Sequence, residues 1–311
     1  MKNTTTFAEI NSLFANTDPK EVWIRASDIV RRMNHAYDFS VVRTSFDDMV
    51  RMFRGEYAGY APIKTLYHDL HHTLDVFLCA VRLMHGLHAS GNRLSDEEMT
   101  IAMVAALMHD IGYAQPLGEE SGTGAQHTKS HVRRGIEFAQ QYLTDHGFLP
   151  ALAASMESIL LSTDPSVNVS GIEFPDERTR LLGQIVGTAD LTGQMADRTY
   201  LERLLFLYLE FKEAHFGGYQ NVHDLLCKTR SFYEFTRKRL DAGLGAIYRY
   251  LSFHFKDCYG TENNYYLESI EKNMAYLSRI IELNTGHELS MLKRGGIVKR
   301  SGSLIAPEDL A

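Results

Sequence analysis

Apolar residues recur along this chain three and four positions apart, and no stretch keeps the strict alternation of a half-buried strand. Asp18-Pro19 opens one helical segment, with Val22, Ile24, Ile29, Val30 and Met33 as its expected core positions. A shorter helix is expected upstream, from Thr4–Thr6 through Ala15. Residues 38–66 are mixed in character and hold Gly55, Gly59 and Pro62, which predicts short helices and loops. Ser95-Asp96-Glu97-Glu98 has the form of a capping box, and an apolar run to Met108 follows it, with Gly112 just past the end. Further helices are predicted from about His127 to Asp145 and over 149–162, 175–191, 197–216, 220–256 and 264–285. Residues 114–126 and 164–174 are expected loops. The pattern predicts an all-α fold, a compact multi-helix bundle. Residues 1–60 should pack on a core of residues 61–195. Residues 196–285 should form a C-terminal helical extension of the same domain, and 286–311 a tail, mobile or extended as an arm.

Composition narrows the functional classes. The chain has 311 residues, 44% of them hydrophobic and 23% charged, enough for a large buried core. A formal net charge of −7 argues against a general nucleic-acid binder, which carries a basic stripe. It leaves room for a small anionic substrate, because a bound cation reverses the local field. Cys79, Cys227 and Cys258 are far apart and show no C-x-x-C spacing. A disulfide framework is therefore not expected, which fits a reducing cytoplasm. No apolar leader and no apolar run of membrane length is present, so a cytoplasmic location without a membrane partner is expected.

Candidate chemistry sits in three places. Tyr67-His68-Asp69-Leu70-His71-His72-Thr73-Leu74-Asp75-Val76 would, on a helix, line up His68, His72, Asp75 and Cys79 on one face. A solvated polar face explains any one of these histidines. Three in five residues with a following Asp point instead to a ligand cluster, with Asp75 placed to orient a neighbouring ring. The run Ala105–Met108 leads directly into His109-Asp110. Helix capping by His109 is the simpler reading of that pair alone. Asp190 follows the small, apolar stretch Ile185–Ala189 and taken singly is no more than a helix-end acid.

The order H…HD…D, each element on its own apolar helix, resembles the HD-domain metal-dependent phosphohydrolases. The first element is more similar still to the class I cyclic nucleotide phosphodiesterases, whose Y-H-N-x-x-H-A-x-D-V pattern is matched by Tyr67, His68, His72, Asp75 and Val76. Ile159–Asp164 resembles their I-x-x-T-D segment, and Ala189-Asp190 their last metal ligand. The resemblance spans about residues 60–195. It implies an HD-type metal-binding catalytic core in which His72, His109, Asp110 and Asp190 hold one divalent ion. Asp110 would bridge to a second, and His131 would serve that second ion. His68 would be the general acid and Asp75 a support for the His cluster. Zn, Mn, Fe, Co and Mg all suit mixed His and carboxylate ligation.

The implied activity is hydrolysis of a phosphoester, favouring a cyclic nucleotide, with a small phosphorylated molecule as partner and a homodimer left open. A nucleotidase or phosphomonoesterase, and a non-catalytic module that binds metal and nucleotide, are the alternatives. The sequence departs from the pattern at Tyr113, where the phosphodiesterases carry a further His. The purine-clamping Gln has no assigned counterpart. Gln194 and Gln220 read first as surface residues. The aromatic stretches Phe206–Phe216 and Phe232–Phe255 read as core and not as a base-stacking platform. Lys129, Arg133 and Arg134 read as a solvated face, and His127, one turn before His131, could face the metal.

Overall fold

The computed structural model describes residues 18–148, 150–283, 288–301, 304–305 and 309. Its longer helices are α1 (Pro19–Met33), α2 (Ser40–Arg54), α3 (Leu70–Ala89), α4 (Asp96–Met108), α5 (His131–Asp145), α6 (Pro150–Leu161), α7 (Glu177–Ala196), α8 (Tyr200–Glu213), α9 (Val222–Lys238), α10 (Leu251–Tyr259) and α11 (Tyr265–Leu283). Two short ones follow, α12 (Glu288–Met291) and α13 (Ile297–Ser301). The fold is all-α. Among the described residues the only extended pairing is an isolated antiparallel bridge between Tyr60 and Pro116.

The helix starts follow from their caps. The Asp18 carboxylate accepts the Lys20 N–H at 2.9 Å, and Pro19 occupies the first turn, where an N–H would lack an intrahelical partner anyway. In α4 the Ser95 hydroxyl accepts the Glu98 N–H at 3.2 Å, and the Glu98 carboxylate returns the bond to Ser95 N–H at 2.6 Å. Every residue from Ile101 to Met108 is buried, as an all-apolar helix requires.

Some expected elements differ. Val22, Ile29 and Val30 are buried in α1, but Ile24 is 49% exposed. It lies two residues from Val22, about 200° round the helix. Residues 38–66 hold one regular helix, α2, and not several short ones; Gly55 ends it in the left-handed region (φ 72°). The helix expected from His127 begins only at His131, after a 3-10 turn at Ala125–His127. Helix α7 runs on to Ala196. The single helix expected over 220–256 is broken. A π turn at Arg239–Gly243 and left-handed Gly245 and Ala246 separate α9 from a 3-10 turn at Ile247–Tyr250 that leads into α10. The helix expected over residues 4–15 lies outside the described residues.

Helix α3 is the central element, packed against α1, α4, α7 and α10. Helix α7 packs on α3 and also meets α4, α6 and α11. One continuous apolar core runs from Val22 in α1 to Ile280 in α11. Of the C-terminal segment, α13 packs on α8, and Ile297 is buried with Tyr67 and Phe206. No helix among the described residues is long and apolar enough to cross a membrane.

Candidate metal centre

The N-terminal end of α3, the C-terminal end of α4 and the middle of α7 meet at one point. Asp69 caps α3, its carboxylate accepting the His72 N–H at 2.9 Å. The Arg203 guanidinium donates to that carboxylate at 2.8 and 3.1 Å and also to the Tyr67 carbonyl. The cap places His72 in the first turn and leaves His68 ahead of the helix, so His68, His72, Asp75 and Cys79 are not one helical stripe. His109 and Asp110 follow α4 directly, and a 3-10 turn at Ile111–Tyr113 carries the chain away. That turn presses against the start of α5: a Cβ on Gly112 would lie 1.8 Å from the His131 carbonyl oxygen. Only glycine permits this approach, which brings His131 towards Asp110.

The converging atoms are close. Nε2 of His72 lies 3.2 Å from an Asp110 oxygen and 3.3 Å from Asp190. Nε2 of His109 lies 3.1 Å from the same Asp110 oxygen and 3.8 Å from Asp190. The two Nε2 atoms are 3.0 Å apart. His109 Nδ1–H donates to the Ala106 carbonyl at 2.9 Å, which leaves its Nε2 as a lone pair in the neutral ring. His131 is fixed in the same way by the Thr128 carbonyl at 2.7 Å, and its Nε2 lies 3.5 Å from the other Asp110 oxygen. All four of His72, His109, Asp110 and Asp190 are buried.

This arrangement fits a bound cation. Asp110 Oδ2 is buried without a well-directed hydrogen bond, although two imidazole nitrogens face it. Two ligands about 2.1 Å from one ion, at right angles, sit about 3.0 Å apart. His72, His109 and Asp110 thus form a group that could hold a metal ion. The electrostatics agree. Burial pulls the His72 pKa down, but the Asp110 and Asp190 carboxylates outweigh it and push it up to about 10, so positive charge is favoured at this point. Burial opposes ionisation of Asp110, yet His109 and His68 hold its carboxyl well below the usual range.

The rim is built by residues the sequence reading had not joined. Glu210, buried on α8, accepts the Tyr67 N–H at 2.6 Å and pairs with His68 Nδ1 at 2.6 Å. Burial lowers the His68 pKa, but Glu210 and then Asp110 raise it, and the net shift is upward. Tyr113 stacks on both His68 and His131, with ring centroids 4.9 and 4.7 Å away, and the two imidazoles are themselves 6.0 Å apart. Gln194 is not a free surface amide. Its carbonyl accepts the Tyr67 hydroxyl at 2.7 Å and its amide donates to Asp190 at 3.3 Å. Gln220 is exposed. Asp75 is joined to His71 at 3.2 Å, in a separate group with Asp197. Arg134 donates to the Gly112 and Ala114 carbonyls at 2.8 Å each, and Lys129 to the His215 carbonyl at 3.3 Å. Both are tied to backbone, whereas Arg133 is exposed at the cavity.

Above the cluster opens a cavity of about 580 Å³. Asp110, His131 and Asp190 form part of its floor, His68 and Tyr113 stand at its rim, and Thr163, Asp164 and the segment to Val167 make one wall. Another wall is aromatic. Phe211 stacks with Phe216 (4.7 Å) and Tyr219 (5.1 Å), and all three reach the cavity, so this stretch is not purely core.

A family model described as Npun_R2479-like matches residues 19–121 and 116–253. No curated protein and no solved structure matches the chain.

Proposed function

The chain belongs to the Npun_R2479-like family, and from its buried cluster we propose that it is a metal-dependent phosphohydrolase of the HD type, with cyclic nucleotide phosphodiesterase activity as the favoured subtype. The observation that carries the proposal is the meeting of His72, His109, Asp110 and Asp190 beneath a cavity whose rim holds His68 paired to Glu210. A lone metal store has no use for a His paired to a buried carboxylate at its mouth.

His72, His109, Asp110 and Asp190 would hold one divalent ion, and Asp110 with His131 would face a second. Bound divalent ions supply Lewis acidity, which favours ionised water and offsets charge on a phosphoryl group. The protein's own groups do the rest. Glu210 engages His68 Nδ1 and favours the protonated ring, which leaves Nε2 free to donate towards a departing oxygen. Tyr113 limits the rotation of that ring by stacking on it. Gln194, held by Tyr67, fixes one Asp190 oxygen. The apolar and aromatic walls restrict water around the reacting group.

The test uses full-length protein, a chelator, and a panel of cyclic nucleotides, linear diesters and nucleoside monophosphates. Hydrolysis of a phosphodiester should vanish on chelation and return with Mn²⁺, Zn²⁺ or Mg²⁺. Asp110→Asn should lose turnover together with the share of bound metal held beneath the cavity, read by elemental analysis against the wild type. Full turnover in His109→Ala or Asp110→Asn would overturn the metal-catalysis reading. Release of phosphate from monoesters alone would replace the diesterase subtype with a nucleotidase. Nucleotide-dependent thermal stabilisation without any product would make the chain a sensor.

A further inference from the structure

About 20 Å along α3 from His72, a second cluster of ligand-type side chains lies outside the cavity. His85 on α3 faces His254 and Cys258 on α10. The spacing His-x-x-x-Cys puts the last two on one face of α10. The Nδ1 atoms of His85 and His254 are 3.2 Å apart, and Cys258 Sγ lies 3.8 Å from His254 Nδ1. Both rings are buried, at 2% and 0% exposure, while Cys258 is half-buried. The pairing depends on a close helix contact next door: a Cβ on Gly86 would lie 1.9 Å from the Tyr250 carbonyl oxygen.

We propose that His85, His254 and Cys258 form a second metal site, for a borderline-soft divalent cation of the zinc type, separate from the centre beneath the cavity. Tetrahedral zinc with nitrogen and sulfur ligands places two nitrogens about 3.3 Å apart and nitrogen and sulfur about 3.6 Å apart. The observed separations are close to both. His85 Nε2 lies 3.5 Å from the Asp257 carboxylate, the outer partner that commonly orients a ligating imidazole. On binding, the Cys258 thiol releases its proton to solvent. The thiolate and Asp257 together offset the nearby Arg82 and Arg32 charges that oppose a dication. Three protein ligands leave a fourth position on the accessible Cys258 side. The ion would fasten α10 to α3, and this inference stands whether or not the cavity hydrolyses phosphoesters.

Cobalt(II) reports the site directly, because thiolate ligation gives a near-ultraviolet charge-transfer absorption and the cluster beneath the cavity contains no cysteine. Metal-stripped full-length protein titrated with Co²⁺ should develop this absorption. Cys227→Ser and Asp110→Asn should keep it, and Cys258→Ser should lose it. Zinc content should fall by about one equivalent per chain in Cys258→Ser. Circular dichroism of Cys258→Ser checks that the fold persists. In the wild type, Zn²⁺ should also slow alkylation of Cys258 more than that of Cys227, a readout that needs no variant. Absence of the absorption in the wild type, or its persistence in Cys258→Ser, would overturn the site and leave a hydrogen bond between two imidazoles. Equal alkylation rates with and without Zn²⁺ would do the same.

Discussion

Glu210 pairs with His68 Nδ1 from a position 142 residues away in sequence. Removing its charge while keeping its shape, as in Glu210→Gln, takes away the chief group that raises the His68 pKa. If His68 is the acid, the alkaline limb of the pH–rate profile should move to lower pH. The rate at pH 8 should fall by about 10²-fold, measured on the best diester substrate. Stopped metal uptake in this variant would instead give Glu210 a structural role. At this scale the sequence was informative where chemistry is local. His72, His109, Asp110 and Asp190 are weak signals singly and stand out only as the ordered set H…HD…D, whose acids are costly to bury without a partner. Glu210 carried the same signal, a lone acid in the apolar run Leu204–Phe211, but it was hidden by an aromatic stretch that reads as core. The partners of Asp75 and Gln194 were not legible, because Asp69 caps α3 one residue after His68 and so shifts which side chains share a face.

The elements around the site owe their ends to a few local bonds. Ser95→Ala removes one arm of the α4 capping box and should cost about 1 kcal/mol in chemical denaturation. The Glu98 carboxyl, held by Arg178 and by the Ser95 N–H, is kept below its ordinary value of 4.5 despite partial burial. Its stabilising contribution is therefore full above the unfolded value and is lost as pH falls through the lower folded one. Denaturation midpoints of the wild type and Arg178→Ala should converge below pH 4.5, while a constant difference would disprove the linkage. Gly112→Ala must push the Ile111–Tyr113 turn away from α5 and should destabilise by about 1–3 kcal/mol. The α4 boundary was readable because its cap is written in four consecutive residues. The break between α9 and α10 was not, because Gly243 and Gly245 are tolerated in a helix until tertiary contacts decide.

For the whole molecule, metal and fold should be linked. A cation at about 100 times its dissociation constant stabilises the native state by about 2.7 kcal/mol. Calorimetry should show a corresponding drop in Tm on chelation, and Asp110→Asn should remove the part of that response that comes from the cluster beneath the cavity. The all-α class was legible from periodicity over many windows, an average that local errors do not disturb. The way distant helices meet was not, since it depends on close approaches such as Gly86 against Tyr250 and Gly112 against His131.

One such long-range tie bears on how the cavity can change over time. Arg239, in the π turn after α9, donates to the carbonyls of Ser162, Asp164 and Val167, at 2.6 to 2.9 Å, and so holds the wall segment from behind. It reads only main-chain oxygens. Exchanging a side chain that makes no bond within this segment, such as Val167, therefore removes none of the anchor's own hydrogen bonds. Such a change would reshape the wall while the main chain behind it stays tied to the turn after α9.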